Sequence, residues 1–234
     1  MYTDTYAARG LRSDLAYERL KRGLLVGDYP LNVRLGEEKL AAAIGVSRTP
    51  VREALLRLHS EGLVRRCADG GYEPVAPDVA VIRNLYEVRA GLEIQALRRP
   101  ERLGGEHDRR MLDELRAEWQ ELGATPPEEE ADLGFVLMDE AFHVTLAESA
   151  GNPALADLLR QVNERIRIVR TTDFLTADRI TQTIEEHLAI VEAVLAGHVA
   201  IAQARFVGHL DRSVSVVEER VTRAITRMLE RSDR

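Results

Sequence analysis

The stretch VSRTPVREALLRL, residues 46–58, admits few folds. It follows EEKLAAAIG and precedes HSEGLVRRCADGGYEPV. The preceding segment has a short helical pattern, with Leu40, Ala41 and Ile44 as apolar positions and Val46 in the turn. Gly45 stands where a tight turn between two helices needs a residue free to take positive φ. Ser47 is positioned to cap the next helix, its hydroxyl accepting from an orphan N–H. Pro50 falls in that helix's first turn, where a missing N–H costs little. Val51, Leu55 and Leu58 recur at i, i+4 and i+7, which predicts a buried stripe. Downstream, strands are expected over 63–67 and 72–75, with Ala68-Asp69-Gly70-Gly71 as their turn. Two helices, a tight turn and a small hairpin outline a winged helix-turn-helix, in which the second helix reads DNA.

Arg48, Thr49 and Arg52, with Ser47 before them, lie at the N-terminal end of that second helix. This end reaches base edges, and arginine is the side chain that pairs bidentately with guanine. Gly70 and Gly71 would let the wing backbone approach a groove. An amphipathic helix with solvated arginines would carry the same residues. The turn, the cap, the proline and the hairpin together favour the DNA-reading alternative. SRTPVREAL, the downstream EGLV and the glycine-containing wing resemble the GntR family of bacterial transcription regulators, over residues 11–77. The resemblance implies a homodimer on a palindromic double-stranded DNA operator, one half-site per subunit.

A net charge of −7 argues against DNA until the chain is divided. Residues 1–77 hold 12 Lys and Arg against 10 Asp and Glu, whereas 78–234 hold 20 against 29. The basic excess is confined to the part with the proposed reader. The single Cys67 excludes an intramolecular disulfide and fits a reducing compartment. No run approaches the roughly 18 apolar residues of a membrane span, and the N-terminus lacks a signal-peptide core. The expectation is a cytoplasmic protein with no membrane partner.

Taken in order, residues 1–10 read as a flexible arm. Ser13 can cap a helix whose apolar face is Leu15, Leu20, Leu24 and Leu25. Residues 33–35 suggest a short strand. Beyond a linker at 74–78, helices are expected near 78–99, 106–123, 129–149, 153–171, 177–196 and 198–231. Pro100, Gly104-Gly105, Pro126-Pro127, Gly151-Asn152-Pro153 and Gly197 punctuate them. The acids at 128–130 suit a helix start, where the dipole favours them. The fold class is therefore mainly α: an N-terminal winged helix-turn-helix, 1–77, and a C-terminal all-α antiparallel helical bundle, 78–234.

Three of the six histidines form a pattern with one acid. Asp139 and His143 are i, i+4 on one helix face. His187 and His209 flank the break at Gly197 by about ten and twelve residues, roughly 15 and 18 Å at 1.5 Å per residue. In an antiparallel hairpin they sit at similar heights. If the helix with Asp139 and His143 packs against them, three imidazoles and a carboxylate converge. That set suits a divalent transition metal (Zn, Ni, Mn or Fe) with positions left open. Each histidine alone also reads as a buried or surface structural residue. His59, His107 and His198 have no such partners and are read that way.

DEAFHVTLAESAGN and EEHLAIVEAVLAGHVAIAQARFVGHL resemble the FCD effector domain of FadR-like GntR regulators. The resemblance implies that Asp139, His143, His187 and His209 hold a metal and that the metal helps hold a small carboxylate effector. It also implies that the bundle dimerises. His198 stands where the family usually has an acid. Six helices rather than seven suggest the VanR-like subgroup. Arg89, in LYEVRAGLE, matches a position that often faces the effector, and Asn163 and Arg167 are weaker pocket candidates. A buried arginine needs an anion, and a carboxylate is its bidentate partner. An intrahelical pair with Glu93 at i+4 is the alternative for Arg89. The function expected is a repressor controlled by an organic acid. The rivals are a metal-dependent enzyme, which lacks a separate nucleophile or acid–base pair, and a sensor of the metal itself.

Overall fold

The computed structural model describes residues 2–125, 133–171, 173–174 and 176–232. They form two compact units, one running through Val79 and taking up Glu219 onward, the other Ala80–Glu218.

The first unit opens with α1 (Tyr2–Val26). Residues 2–10, expected as a flexible arm, belong to this helix. Ser13 is buried inside it rather than capping it, and the buried face is Ala16, Tyr17, Leu20, Leu24 and Leu25, with Leu15 exposed. Then follow α2 (Glu37–Ile44) and α3 (Arg48–Ser60). Between them Gly45 takes φ 81°, and its N–H closes α2 on the Ala41 carbonyl. Ser47 occupies the N-cap position of α3 in extended conformation, yet its hydroxyl makes no capping bond. Val51, Ala54, Leu55 and Leu58 are fully buried, and at about 1.5–3 kcal/mol per large apolar side chain they hold α3 in place. The wing is β1 (Val64–Arg66) antiparallel to β2 (Tyr72–Pro74), pairing Arg65 with Glu73. Residues 33–35 form no strand, although the Leu35 N–H bonds to the Tyr72 carbonyl at 2.8 Å.

The last turns of the final helix, α9 (Val199–Ser232), complete this unit. Val221, Ala224 and Met228 are buried at i, i+3 and i+7. The Leu31 N–H donates to the Met228 carbonyl, and the Ser232 hydroxyl donates to the Leu31 carbonyl. Gly27, at φ 83°, lies so close to the Ala224 backbone that an added Cβ would overlap its carbonyl oxygen. Gly27→Ala combines a left-handed backbone with a collision and is expected to lower unfolding stability by more than about 1 kcal/mol. A denaturant midpoint within error of wild type would show that α9 does not pack tightly here. Only the sequence boundary at 77/78 was expected; the return of α9 to the first unit was not.

The second unit contains six helices among the described residues: α4 (Val79–Arg102), α5 (Arg109–Ala124), α6 (Leu133–Glu148), α7 (Pro153–Arg170), α8 (Ala177–Leu195) and the first part of α9. Each expected helix is present. Pro100 does not end α4, which continues one half-turn to Arg102. The helix start expected at 126–130 lies outside the described residues. Asp108 caps α5, and Asn152, followed by Pro153, caps α7. The core gathers Leu97, Leu112, Trp119, Phe135, Phe142, Phe174, Ile184, Val191 and Phe206. Ala196–His198 joins α8 to α9 as an antiparallel hairpin, which brings His187 against His209. Among the described residues no helix is long and apolar enough to cross a membrane.

Candidate functional site

In the bundle, Asp139 and His143 of α6, His187 of α8 and His209 of α9 converge. All four are fully buried, and one ligand atom from each lies within 4.8 Å of the others. His187 Nε2 is 3.4 Å from His209 Nε2 and 3.6 Å from Asp139 Oδ1. His143 Nε2 is 3.6 Å from Asp139 Oδ2. Ligands held about 2.0–2.2 Å from a zinc-like ion stand about 3–3.5 Å apart, so the nearest spacings approach that range and the widest, up to 4.8 Å, would have to close on an ion. Two histidines have their other ring nitrogen on a carboxylate: His143 Nδ1 on Glu93 at 2.6 Å and His209 Nδ1 on Glu186 at 2.7 Å. Such outer carboxylates fix the ring and turn its Nε2 lone pair inward. His187 is held instead by packing, its ring stacked on Phe142 at 3.8 Å and edge-on to Trp119.

Electrostatics agree with a metal-ready set. Burial lowers the His143 and His187 pKa values well below the ordinary imidazole range, helped by Arg89 and His209 respectively. Both rings are therefore neutral at pH 7, the form that ligates. Burial is the largest influence on Asp139 and would raise it, but Arg170 and Arg89, acting with its other neighbours, together outweigh it and hold the carboxyl below the usual range. For Glu93 burial prevails over Arg89 and raises the pKa.

Several buried polar atoms of the bundle make no hydrogen bond among the described residues: Arg89 Nη1 and Nη2, Arg170 Nε and Nη1, both Asn163 amide atoms and the Tyr86 hydroxyl. Burial pushes the Tyr86 phenol up to about 12, so it remains a donor. Arg89 makes the intrahelical pair, Nε on Glu93 at 2.7 Å, while its two terminal nitrogens are buried with no hydrogen bond among the described residues. Asn163 is inside as well. Arg167 is one-third exposed and its fork is closed on Glu140 by three bonds of 2.7–3.0 Å. No sequence motif singles out Arg170, yet it is fully buried and paired with Asp139. Helical geometry held the signal: at about 100° per residue, position 170 lies about 20° from the azimuth of 163, and position 167 about 40°. Tyr86, Arg89 and Glu93 likewise share the inner face of α4 at i, i+3 and i+7. Glu186 and the Asp173–Arg179–Ser213 network had no sequence signal of their own.

In the first unit, Ser47, Arg48, Thr49 and Arg52 are exposed at the start of α3. Gly70 is exposed at the wing tip with φ 85°, whereas Gly71 is buried beneath the Arg34 side chain. His59 and His107 bond to neighbouring carbonyls, and His107 also to Ser149.

A winged helix-turn-helix and a helical bundle with a buried polar centre together define a class of DNA-binding regulators. The chain matches the bacterial regulatory proteins of the gntR family over residues 12–72 and the FCD domain over 84–212. It belongs to the GntR family, with an FCD domain. It is 35% identical over 158 residues to the Nta operon transcriptional regulator of Aminobacter aminovorans, 67% of this chain and 71% of that one. Its fold is similar to that of Lar from Listeria monocytogenes, with a TM-score of 0.59 at 21% identity, covering 88% and 96% of the two chains. It is also similar to a metal-free FCD domain of another regulator, with a TM-score of 0.51 at 20% identity, covering 63% of this chain and 99% of that one. The protein is a DNA-binding transcription regulator, not an enzyme.

Proposed function

We propose that the protein is a repressor whose operator affinity is set by a small organic acid bound at a divalent-metal site in the bundle. The supporting observation is the juxtaposition of Asp139, His143, His187 and His209 with orphan donors from Arg89, Asn163, Arg170 and Tyr86. An unsatisfied buried polar group costs about 1–3 kcal/mol, so a partner for these groups is strongly favoured. The donor set fits a carboxylate: guanidinium forks, an amide and a phenol. A divalent ion would add positive charge and an open position for a carboxylate oxygen. Imidazole and carboxylate ligands suit Zn, Ni, Mn or Fe. Arg89, Asn163 and Arg170 would hold the acid, and Arg167 would keep Glu140 in place.

Ser47, Arg48, Thr49 and Arg52 of α3, with Gly70 of the wing, would contact a palindromic operator. A homodimer supplies two such heads, in the cytoplasm where the chromosome lies. Residues 1–77 would form the DNA-binding domain and 78–234 the effector and dimerisation domain, the end of α9 being shared. Control requires only that the acid bind one arrangement of the heads better than the other.

The test is a thermal melt of metal-stripped protein, repeated with each divalent metal and then with metal plus a panel of small carboxylates. A ligand at a hundredfold excess over Kd adds about 2.7 kcal/mol. A carboxylate shift that depends on metal is expected. A metal shift without a carboxylate response would favour a sensor of the metal, and no shift from either would exclude the four-residue site.

A further inference from the structure

Glu37 is the first residue of α2, and its side chain reaches across to α3. One carboxylate oxygen, Oε2, accepts from Arg52 Nε at 2.6 Å and lies 3.4 Å from Arg48 Nη2. The carboxylate is three-quarters covered, while both arginines are more than half exposed. Glu37 does not cap its own helix, because the N-cap of α2 is Gly36, which has no side chain to offer. Its charge is nevertheless favoured there, in the first turn of a helix.

The atoms used decide what this contact can do. Arg52 is gripped through Nε, and its two terminal nitrogens make no hydrogen bond among the described residues. Those two nitrogens form the end of the fork that pairs with O6 and N7 of guanine. A bond at Nε fixes the last torsions of a side chain that otherwise loses about 2 kcal/mol of rotamer entropy on ordering. The fork is therefore aimed before DNA arrives, and preorganisation of this kind is felt at the base that the fork meets. Arg48 and Arg52 are also like charges at i, i+4, and the shared carboxylate relieves their repulsion. Finally, a carboxylate at this surface repels phosphates, which weakens binding to arbitrary DNA.

We infer that Glu37 is a positioning residue for base recognition: it orients Arg52 end-on towards a guanine and sharpens sequence discrimination rather than raising overall affinity. This rests on the reading of α3 as the DNA-contacting helix.

The experiment is selection from a library of randomised duplexes, followed by titration of the selected and a scrambled duplex at one fixed salt concentration. Wild type, Glu37→Gln, Glu37→Asp, Arg52→Ala and the Glu37→Gln/Arg52→Ala pair are compared. Wild type is expected to select a half-site whose guanine preference is lost in Arg52→Ala. Glu37→Gln should weaken that same preference by at least about fivefold, the low end of what a bidentate pair discriminates. It should bind the scrambled duplex as tightly as wild type or tighter. Glu37→Asp, with full charge and a shorter reach, should lose the preference too, and the double variant should match Arg52→Ala. If Glu37→Gln changed affinity for every duplex by one factor, Glu37 would be a neighbouring charge and the inference would be wrong. If Arg52→Ala kept every base preference, Arg52 would not be the reader. A wild type that selected no motif would overturn the reading of α3 itself.

Discussion

His209→Ala is expected to weaken divalent-metal binding by more than about a hundredfold, because loss of even an outer partner of a metal ligand costs about 10- to 100-fold. His209 is the member of the proposed metal set that α9 supplies, and Glu186 holds its Nδ1 at 2.7 Å. Glu186→Gln should therefore give the smaller loss, about 10- to 100-fold, by freeing the His209 ring to turn. His107→Ala serves as the comparison. That ring is bonded to Ser149 and the Leu97 carbonyl, away from the four-residue cluster, and its loss should leave metal affinity unchanged. Competition with a chromophoric chelator measures all three. A ranking in which His209→Ala and His107→Ala behave alike would remove His209 from the site. A Glu186→Gln variant with wild-type affinity would mean that packing alone orients the imidazole.

Much of this centre could be read from residue spacing, and the reasons differ by element. The i, i+4 spacing of Asp139 and His143 is local, and any helix realises it. The match of His187 with His209 needed only that the chain reverse at Gly197, which a three-residue connection enforces. Arg170 was missed because choosing among inward positions on α7 depends on small differences of azimuth and on which acid faces them. Asp139 comes from another helix, and nothing local announces that Arg170 meets it. Glu93 was visible only as a partner for Arg89, and its second bond to His143 spans 50 residues. The helix α3 was legible for the same local reasons, through Gly45, Pro50 and the buried stripe of Val51, Leu55 and Leu58. The Glu37 contact to Arg52 was not, since it crosses from one helix to the next. The helix over residues 2–10 and the packing of the end of α9 were hidden for a related reason. Residues 1–10 carry no periodic apolar face, and Val221, Ala224 and Met228 look like any amphipathic stripe until their partner at Gly27 is known.

Arg170→Met should destabilise the metal-free protein by about 3–5 kcal/mol, the range for removing one partner of a buried ion pair. Arg170 and Asp139 are both fully buried and directly paired, and Arg170 is the neighbour that does most to keep Asp139 ionised. Methionine fills much of the same volume without charge, so the loss reports the stranded carboxylate rather than a cavity. Two further measurements separate this cause from misfolding. Adding Asp139→Asn to Arg170→Met should recover part of the loss, because an uncharged amide needs no counter-ion, and removing both partners of a buried pair is often close to neutral. Adding a divalent metal to Arg170→Met should narrow its gap to wild type, since a cation on Asp139 replaces the missing guanidinium charge. Denaturant unfolding in chelator and in metal gives all of these differences. A loss below about 1 kcal/mol would mean that Arg89, the other guanidinium acting on Asp139, suffices to hold its charge. The same variant should also lose the metal-dependent carboxylate shift in thermal melts. Arg170 Nε and Nη1 are buried donors with no hydrogen bond among the described residues, and without them only Arg89, Asn163 and Tyr86 would remain for the proposed acid.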